Sequence, residues 1–156
     1  MDIPLVAPKD LLTYFDSQSL ELPREIPALQ AWNLAMRSPV PGMATAMWLR
    51  DRISGLFGVA PIKGFSGAQK TSVAIGDQWD FFLVEDVAEH LLVLTVRDRH
   101  LDVMTTVTTY DRLFTITSSV ITHNWFGRAY MVPVGLAHKL IVWWALRKMK
   151  AELARP

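Results

Sequence analysis

The stretch "DRHLDVMTTVTTYDRLFTITSSVITH", residues Asp98–His123, decides the architecture. It holds two runs rich in Val, Thr, Ile, Leu and Phe, residue types that suit a pleated strand. Only Asp111 and Arg112 separate them. So short a break permits nothing but a hairpin, because a parallel neighbour needs a crossover of about a dozen residues or more. The runs "HLLVLTVRDR" (His90–Arg99) and "WDFFLVEDV" (Trp79–Val87) lie just upstream with equally short breaks. Four strands in quick succession therefore predict an antiparallel meander. Alternation divides Asp102, Met104, Thr106 and Thr108 from Val103, Thr105, Val107 and Thr109. Neither set is uniformly apolar, so the Thr and Ser residues suggest a sheet with one face over a semi-polar cavity or solvent.

Downstream, Pro133 is expected to open a long helix over residues 134–153. Leu136, Leu140 and Trp143 form one apolar row on it, and Ala137, Ile141 and Trp144 a neighbouring one. Arg147, Lys148 and Lys150 fall at its C-terminal end, where cations are favourable. Trp143 and Trp144 point about 100° apart, so they cannot face the same partner. Upstream, Leu11–Pro23 reads as an extended or edge strand. Pro27 then starts a helix with Leu29, Trp32 and Met36 at helical spacing. A second helix is expected over Met43–Gly58, with Ala46, Leu49, Ile53, Leu56 and Phe57 on one stripe. Residues 59–78 are loop-rich, and "GFSG" within them reads as a turn. No repeat or linker interrupts the chain, so residues 1–156 are read as one domain.

Sixteen basic residues nearly balance fifteen acidic ones, for a formal charge of +1, which leaves no electrostatic footprint for nucleic acid. Hydrophobic residues reach 51%, enough for a real core. Cysteine is absent, which rules out thiolate nucleophiles and thiolate metal sites. The N-terminal residues lack a signal-peptide pattern, and with the lack of cysteine they lead to a cytoplasmic expectation. "LIVWWAL" (Leu140–Leu146) is far shorter than the roughly 20 residues a membrane span needs, so no span is expected.

The element order is strand, two helices, several antiparallel strands and a long C-terminal helix. It resembles the helix-grip fold of the START, Bet v 1 and polyketide-cyclase (SRPBCC) superfamily, an α+β architecture in which a curved sheet wraps the last helix. "RDRHLDV" (Arg97–Val103) and "THNWFGRAYMVPVGLAHKLIV" (Thr122–Val142) further resemble the signature segments of a domain of unknown function in that superfamily. Its pattern is D-x-H-L-D-F, then H-N-x-x-G-R-x-Y, then a proline and a second histidine. The chain matches at His100, Leu101, Asp102, His123, Asn124, Gly127, Arg128, Tyr130, Pro133 and His138. It departs at Val103, where an aromatic residue is expected. The resemblance implies a fold and a cavity between sheet and helix, and no activity.

These motifs supply the polar candidates. His100 and Asp102, two apart on a strand, would share a face, and a carboxylate beside an imidazole makes an oriented base. The plainer reading is a pair holding a hairpin end. His123 and Asn124 leave the last strand on opposite faces. Arg128 either grips a carboxylate ligand, clamps backbone carbonyls or pairs with Asp102; Tyr130 follows it. Gly127 is read as a positive-φ position. His138 is expected to face the sheet, as a satisfied core residue or a ligand contact. The four residues His100, Asp102, His123 and His138 suit a metal by type, but no local metal-binding spacing accompanies them, so no metal and no cofactor is expected.

The leading expectation is a small-molecule binder for an apolar, aromatic or lipid-like ligand. Trp143, Leu140, Met104 and Thr106 would line its cavity, with Arg128, Tyr130, His138, His123 and Asn124 as further contacts. One alternative is a cyclase- or dehydratase-like or hydrolytic enzyme using His100 and Asp102 as base. Another is a module that forms a homodimer through its Trp-rich surface.

Overall fold

The computed structural model describes residues 3–37, 40–41, 44, 47–48, 51–52, 55 and 66–154. A 3-10 turn (Lys9–Leu11) leads into β1 (Tyr14–Glu21) and α1 (Ala28–Met36). Later come β2 (Gln78–Trp79), β3 (Phe82–Ala88), β4 (Leu91–Arg97), β5 (Leu101–Tyr110), β6 (Leu113–Thr122) and a 29-residue C-terminal helix, α2 (Trp125–Leu153). The described positions between 44 and 55 are helical, as expected. The stripe Ala46, Leu49, Ile53, Leu56 and Phe57 lies outside the described residues.

All strands pair antiparallel in one sheet of order β1-β6-β5-β4-β3-β2. The β5–β6 hairpin closes on Asp111 and Arg112, both at positive φ (50° and 64°), the backbone shape that matches strand twist across a two-residue turn. β1 is an edge strand, as expected, and it sits beside the last strand. The segment "WDFFLVEDV" departs from one continuous strand. Asp80, at φ 56°, turns the chain there, so Trp79 pairs back onto Phe82 in a second small hairpin.

Register assigns the two faces. Leu92, Leu94, Val107, Phe114 and Ile116 point to the helices and form a core with Trp32 of α1 and Val142, Leu146 and Met149 of α2. In α1 the buried residues are Ala28, Ala31, Trp32 and Ala35. Small side chains bring the helix close to the sheet, and Leu29 and Met36 are only partly covered. The opposite face carries Met104, Thr106, Thr115, Thr117 and Ser119. These five residues are buried, while Ser17 and Ser19 beside them on β1 are exposed, so the face meets solvent only along its edge. Ser17 pairs with Thr117 (2.9 Å) and Ser19 with Thr115 (2.8 Å) in a cross-strand hydroxyl ladder. The N-terminal segment straps over it, with Thr106 donating to the Pro4 carbonyl (2.7 Å) and Val6 N–H to Ser119 Oγ (3.0 Å).

The last helix differs from expectation at its start. It begins at Trp125, not near residue 134, and Pro133 lies inside it. Proline removes one helical N–H, which strands the carbonyl four residues earlier. That residue is Ala129, and both Ala129 and Pro133 are exposed, so water can satisfy the carbonyl.

Candidate functional site

Two polar clusters flank the C-terminal helix. The first joins its N-terminus to the β4–β5 turn. Asp98 accepts from the backbone N–H groups of His100 (2.6 Å) and Leu101 (3.0 Å), which draws His100 into the turn and starts β5 at Leu101. The His100 Nδ1 meets the Asn124 amide, 2.9 Å from Nδ2 and 3.2 Å from Oδ1. Asn124 also caps the helix, accepting from Gly127 N–H (2.9 Å) and donating to the Arg99 carbonyl (3.2 Å). Gly127 has helical backbone, so the expected positive φ is corrected: a Cβ there would overlap the His100 backbone carbonyl. Glycine is needed for close approach.

His100 and Asp102 therefore do not form the expected pair. Asp102 points to the strapped face, where His123 Nε2 lies 3.2 Å from it and Arg97 3.4 Å. Arg97 reaches on to Glu85 (2.9 Å), and that hydrogen bond raises the guanidinium pKa against the opposing effect of burial. The result is a row Glu85–Arg97–Asp102–His123 that crosses β3, β4 and β5 and ends just past β6. Arg97 takes the place considered for Arg128, which is exposed. Tyr130 is half-buried and stacks on Phe126 (6.0 Å between centroids).

The second cluster lies between β1, β6 and α2. His138 faces the sheet, with Nε2 3.4 Å from Ser118 Oγ and its ring edge-on to Tyr14. Tyr14 Oη donates to the Gly135 carbonyl (3.0 Å), and burial followed by the Asp16 charge pushes its pKa up to about 12. Gln18 bridges Asp16 (2.6 Å) and the Lys139 carbonyl (3.0 Å), while Lys139 Nζ lies 3.7 Å from Asp16. Sequence reasoning passed over Tyr14, Asp16, Gln18 and Ser118. The signal was the alternation in "YFDSQSLE", which sets Asp16 and Gln18 on the same face as Leu20.

Burial lowers the His138 pKa below 6.5, with the Asp16 charge opposing, and its Nδ1 is buried without a hydrogen-bond partner among the described residues. Well above pH 6.5 the ring is neutral folded or unfolded and contributes no pH dependence. Below it the unfolded chain takes up a proton that the folded chain resists, so stability falls as pH drops towards the folded value. Urea unfolding between about pH 8 and about pH 5 is expected to show this loss, and His138→Gln to flatten it. An equal slope in both proteins would refute the assignment.

The expected cavity lining does not converge. Met104 and Thr106 lie under the strap on the far face, while Leu140 and Trp143 are exposed on α2. The reason is helix phase: Gly127, Met131, Gly135, Val142, Ala145, Leu146 and Met149 are the buried residues. Trp143 and Trp144 diverge as expected, each under a cation four residues on, Arg147 (5.2 Å) and Lys148 (4.8 Å). Among the described residues, an opening of about 360 Å³ lies at the other end of the helix, bordered by Leu20, Leu22, Pro23, Arg112, Lys150 and Leu153. A smaller pocket of about 20 Å³ lies between Trp32, Trp79 and Phe82. No group of three or more metal-ligating side chains occurs among the described residues.

The family model "protein of unknown function (DUF2867)" matches residues 10–145. The chain belongs to this family. The DUF2867 match takes in both polar clusters and stops within α2, short of the helix's last two turns. The six-stranded antiparallel sheet with its C-terminal helix is compatible with a helix-grip fold. No curated protein and no solved structure matches the chain.

Proposed function

We propose that this DUF2867 chain binds a small amphiphilic molecule, with an apolar body and an acidic head, at the open end of the grip. The observation that carries the reading is the opening of about 360 Å³ between β1, the β5–β6 turn and the last turns of α2. Ligand sites commonly hold about 300–1,000 Å³. Leu20 and Leu22 form an apolar floor, and Leu153 flanks it. Arg112 and Lys150 stand at the rim, Arg112 already paired with Glu21 (3.0 Å). Lys150 is thus the cation placed to meet an acidic head. On this reading the likeness to the START, Bet v 1 and polyketide-cyclase superfamily extends from element order to use, with ligand held between sheet and helix.

The enzymatic alternative is less well supported. The imidazole beside Asp102 belongs to His123, and the pair lies on the strapped face, across the sheet from α2. The test is displacement of an anilinonaphthalene sulfonate dye by decanoate. One saturable site is expected, weakened about tenfold or more by Lys150→Glu and by Leu153→Asp. Leu136→Glu, about 21 Å along the helix from Lys150 and outside the groove, should leave it unchanged. Dye binding indifferent to both groove variants would overturn the proposal.

A further inference from the structure

The outward face of α2 is apolar along most of its length. Trp125, Val132, Leu136, Leu140 and Trp143 are each 49–76% exposed. At about 100° per residue they fall within one arc of the helix. Trp125 and Trp143 mark its ends, about 27 Å apart at 1.5 Å per residue. Single exposed apolar side chains need no explanation, but a continuous stripe marks a contact surface.

Charge identifies what covers it. The helix carries Arg128, Lys139, Arg147, Lys148 and Lys150 against Glu152, five cations less one anion, or +4. The whole chain carries +1, so the remaining residues sum to −3. Arg128 edges the stripe, and Arg147 and Lys150 continue it at the C-terminal end, all three exposed. A second copy packed face to face would set these cations against their own counterparts. An anionic bilayer surface matches both features: headgroups meet the cations, the apolar arc enters the acyl boundary, and Trp suits the interface.

By length and composition α2 could even cross a membrane, and only 28% of its most apolar window is buried. Crossing would strip Met131, Val142, Ala145, Leu146 and Met149 from the sheet and α1. Lying in the surface plane leaves those contacts intact. We infer that the protein attaches peripherally to anionic membranes through the outward face of α2. The stripe itself, Trp125, Val132, Leu136, Leu140 and Trp143, lies outside the ligand groove, and Lys150 alone is common to both surfaces.

The test is co-sedimentation of the full chain with phosphatidylcholine vesicles, with and without about one-third phosphatidylglycerol. Binding to the anionic vesicles is expected to exceed binding to the neutral ones by about tenfold or more and to fall at high salt. The double variant Leu136→Glu, Leu140→Glu should lose about tenfold or more with an unchanged melting temperature, since both side chains are exposed. Arg128→Glu with Arg147→Glu should abolish the preference for anionic vesicles. The inference is overturned by absent vesicle binding, by equal binding to both vesicle types, or by a double variant that binds normally. Sedimentation equilibrium showing a dimer that Leu136→Glu, Leu140→Glu dissociates would also overturn it and give the face to a second copy.

Discussion

Replacing Gly127 by alanine lowers stability by about 2–3 kcal/mol, although the same change in an open helix normally helps. Glycine costs a helix about 1 kcal/mol relative to alanine. At Gly127 that gain is outweighed, because the new methyl overlaps the His100 backbone carbonyl and lies 3.3 Å from the Thr122 Cβ. The obstacle is backbone, tied down at His100 by the Asp98 turn and by His123 N–H donating to the same carbonyl (2.8 Å). Relief requires the helix start to move off the sheet, and because the obstacle is backbone the overpacking cost reaches about 3–4 kcal/mol, above the usual range. For a domain of this size the melting temperature should fall by about 5–10 °C. Gly55→Ala is the control. Gly55 is helical, and an added Cβ there meets nothing within 4 Å. It should be neutral or stabilising by up to about 1 kcal/mol. Equal effects at the two positions would mean that the helix entry is not pinned.

The meander was readable because Asp111 and Arg112 leave no room for a crossover. The edge position of β1 was one of two readings open for Leu11–Pro23, whose mixed apolar and small polar residues end at Pro23. The start of the last helix was not readable. Pro133 looks like a first-turn proline, and nothing local reveals that Ala129 and Pro133 face outward, where the missing hydrogen bond is tolerable. The true start signal was Asn124, an N-cap residue type standing just after a strand.

The site was read less well for two physical reasons. Alternation sorts strand residues into two faces but does not say which face meets the helix. Met104 and Thr106 were thus grouped correctly and placed on the wrong side. Helix phase was ambiguous because α2 is apolar on two arcs. The small residues Gly135 and Ala145 mark the packed arc, since Gly135 lets the Tyr14 ring approach where a Cβ would come within 2.9 Å. The larger, more hydrophobic Leu136, Leu140 and Trp143 face outward. His100 was assigned to a strand that begins one residue later, and that single residue moved Asp102's partner to His123.

Asn124 should be the second most sensitive position in this region. Its side chain caps α2 through Gly127 N–H, holds the Arg99 carbonyl and meets His100 Nδ1. Removing an N-cap costs about 1 kcal/mol, and a carbonyl deprived of its donor adds about 1 kcal/mol where water only partly replaces it. Asn124→Ala is therefore expected to cost about 2 kcal/mol in urea unfolding. Asn124→Asp keeps the acceptor for Gly127 and places negative charge at the positive end of the helix. It loses the amide donation to Arg99, while His100 Nδ1 can donate to the new carboxylate, so about half the stability should return. That graded order separates a staple from an ordinary cap. If aspartate restored full stability, only capping would matter, and the β4–β5 turn would be held without Asn124. If aspartate were as poor as alanine, the amide donor would dominate. The motif's role would then be to fix the turn against the helix, with capping secondary.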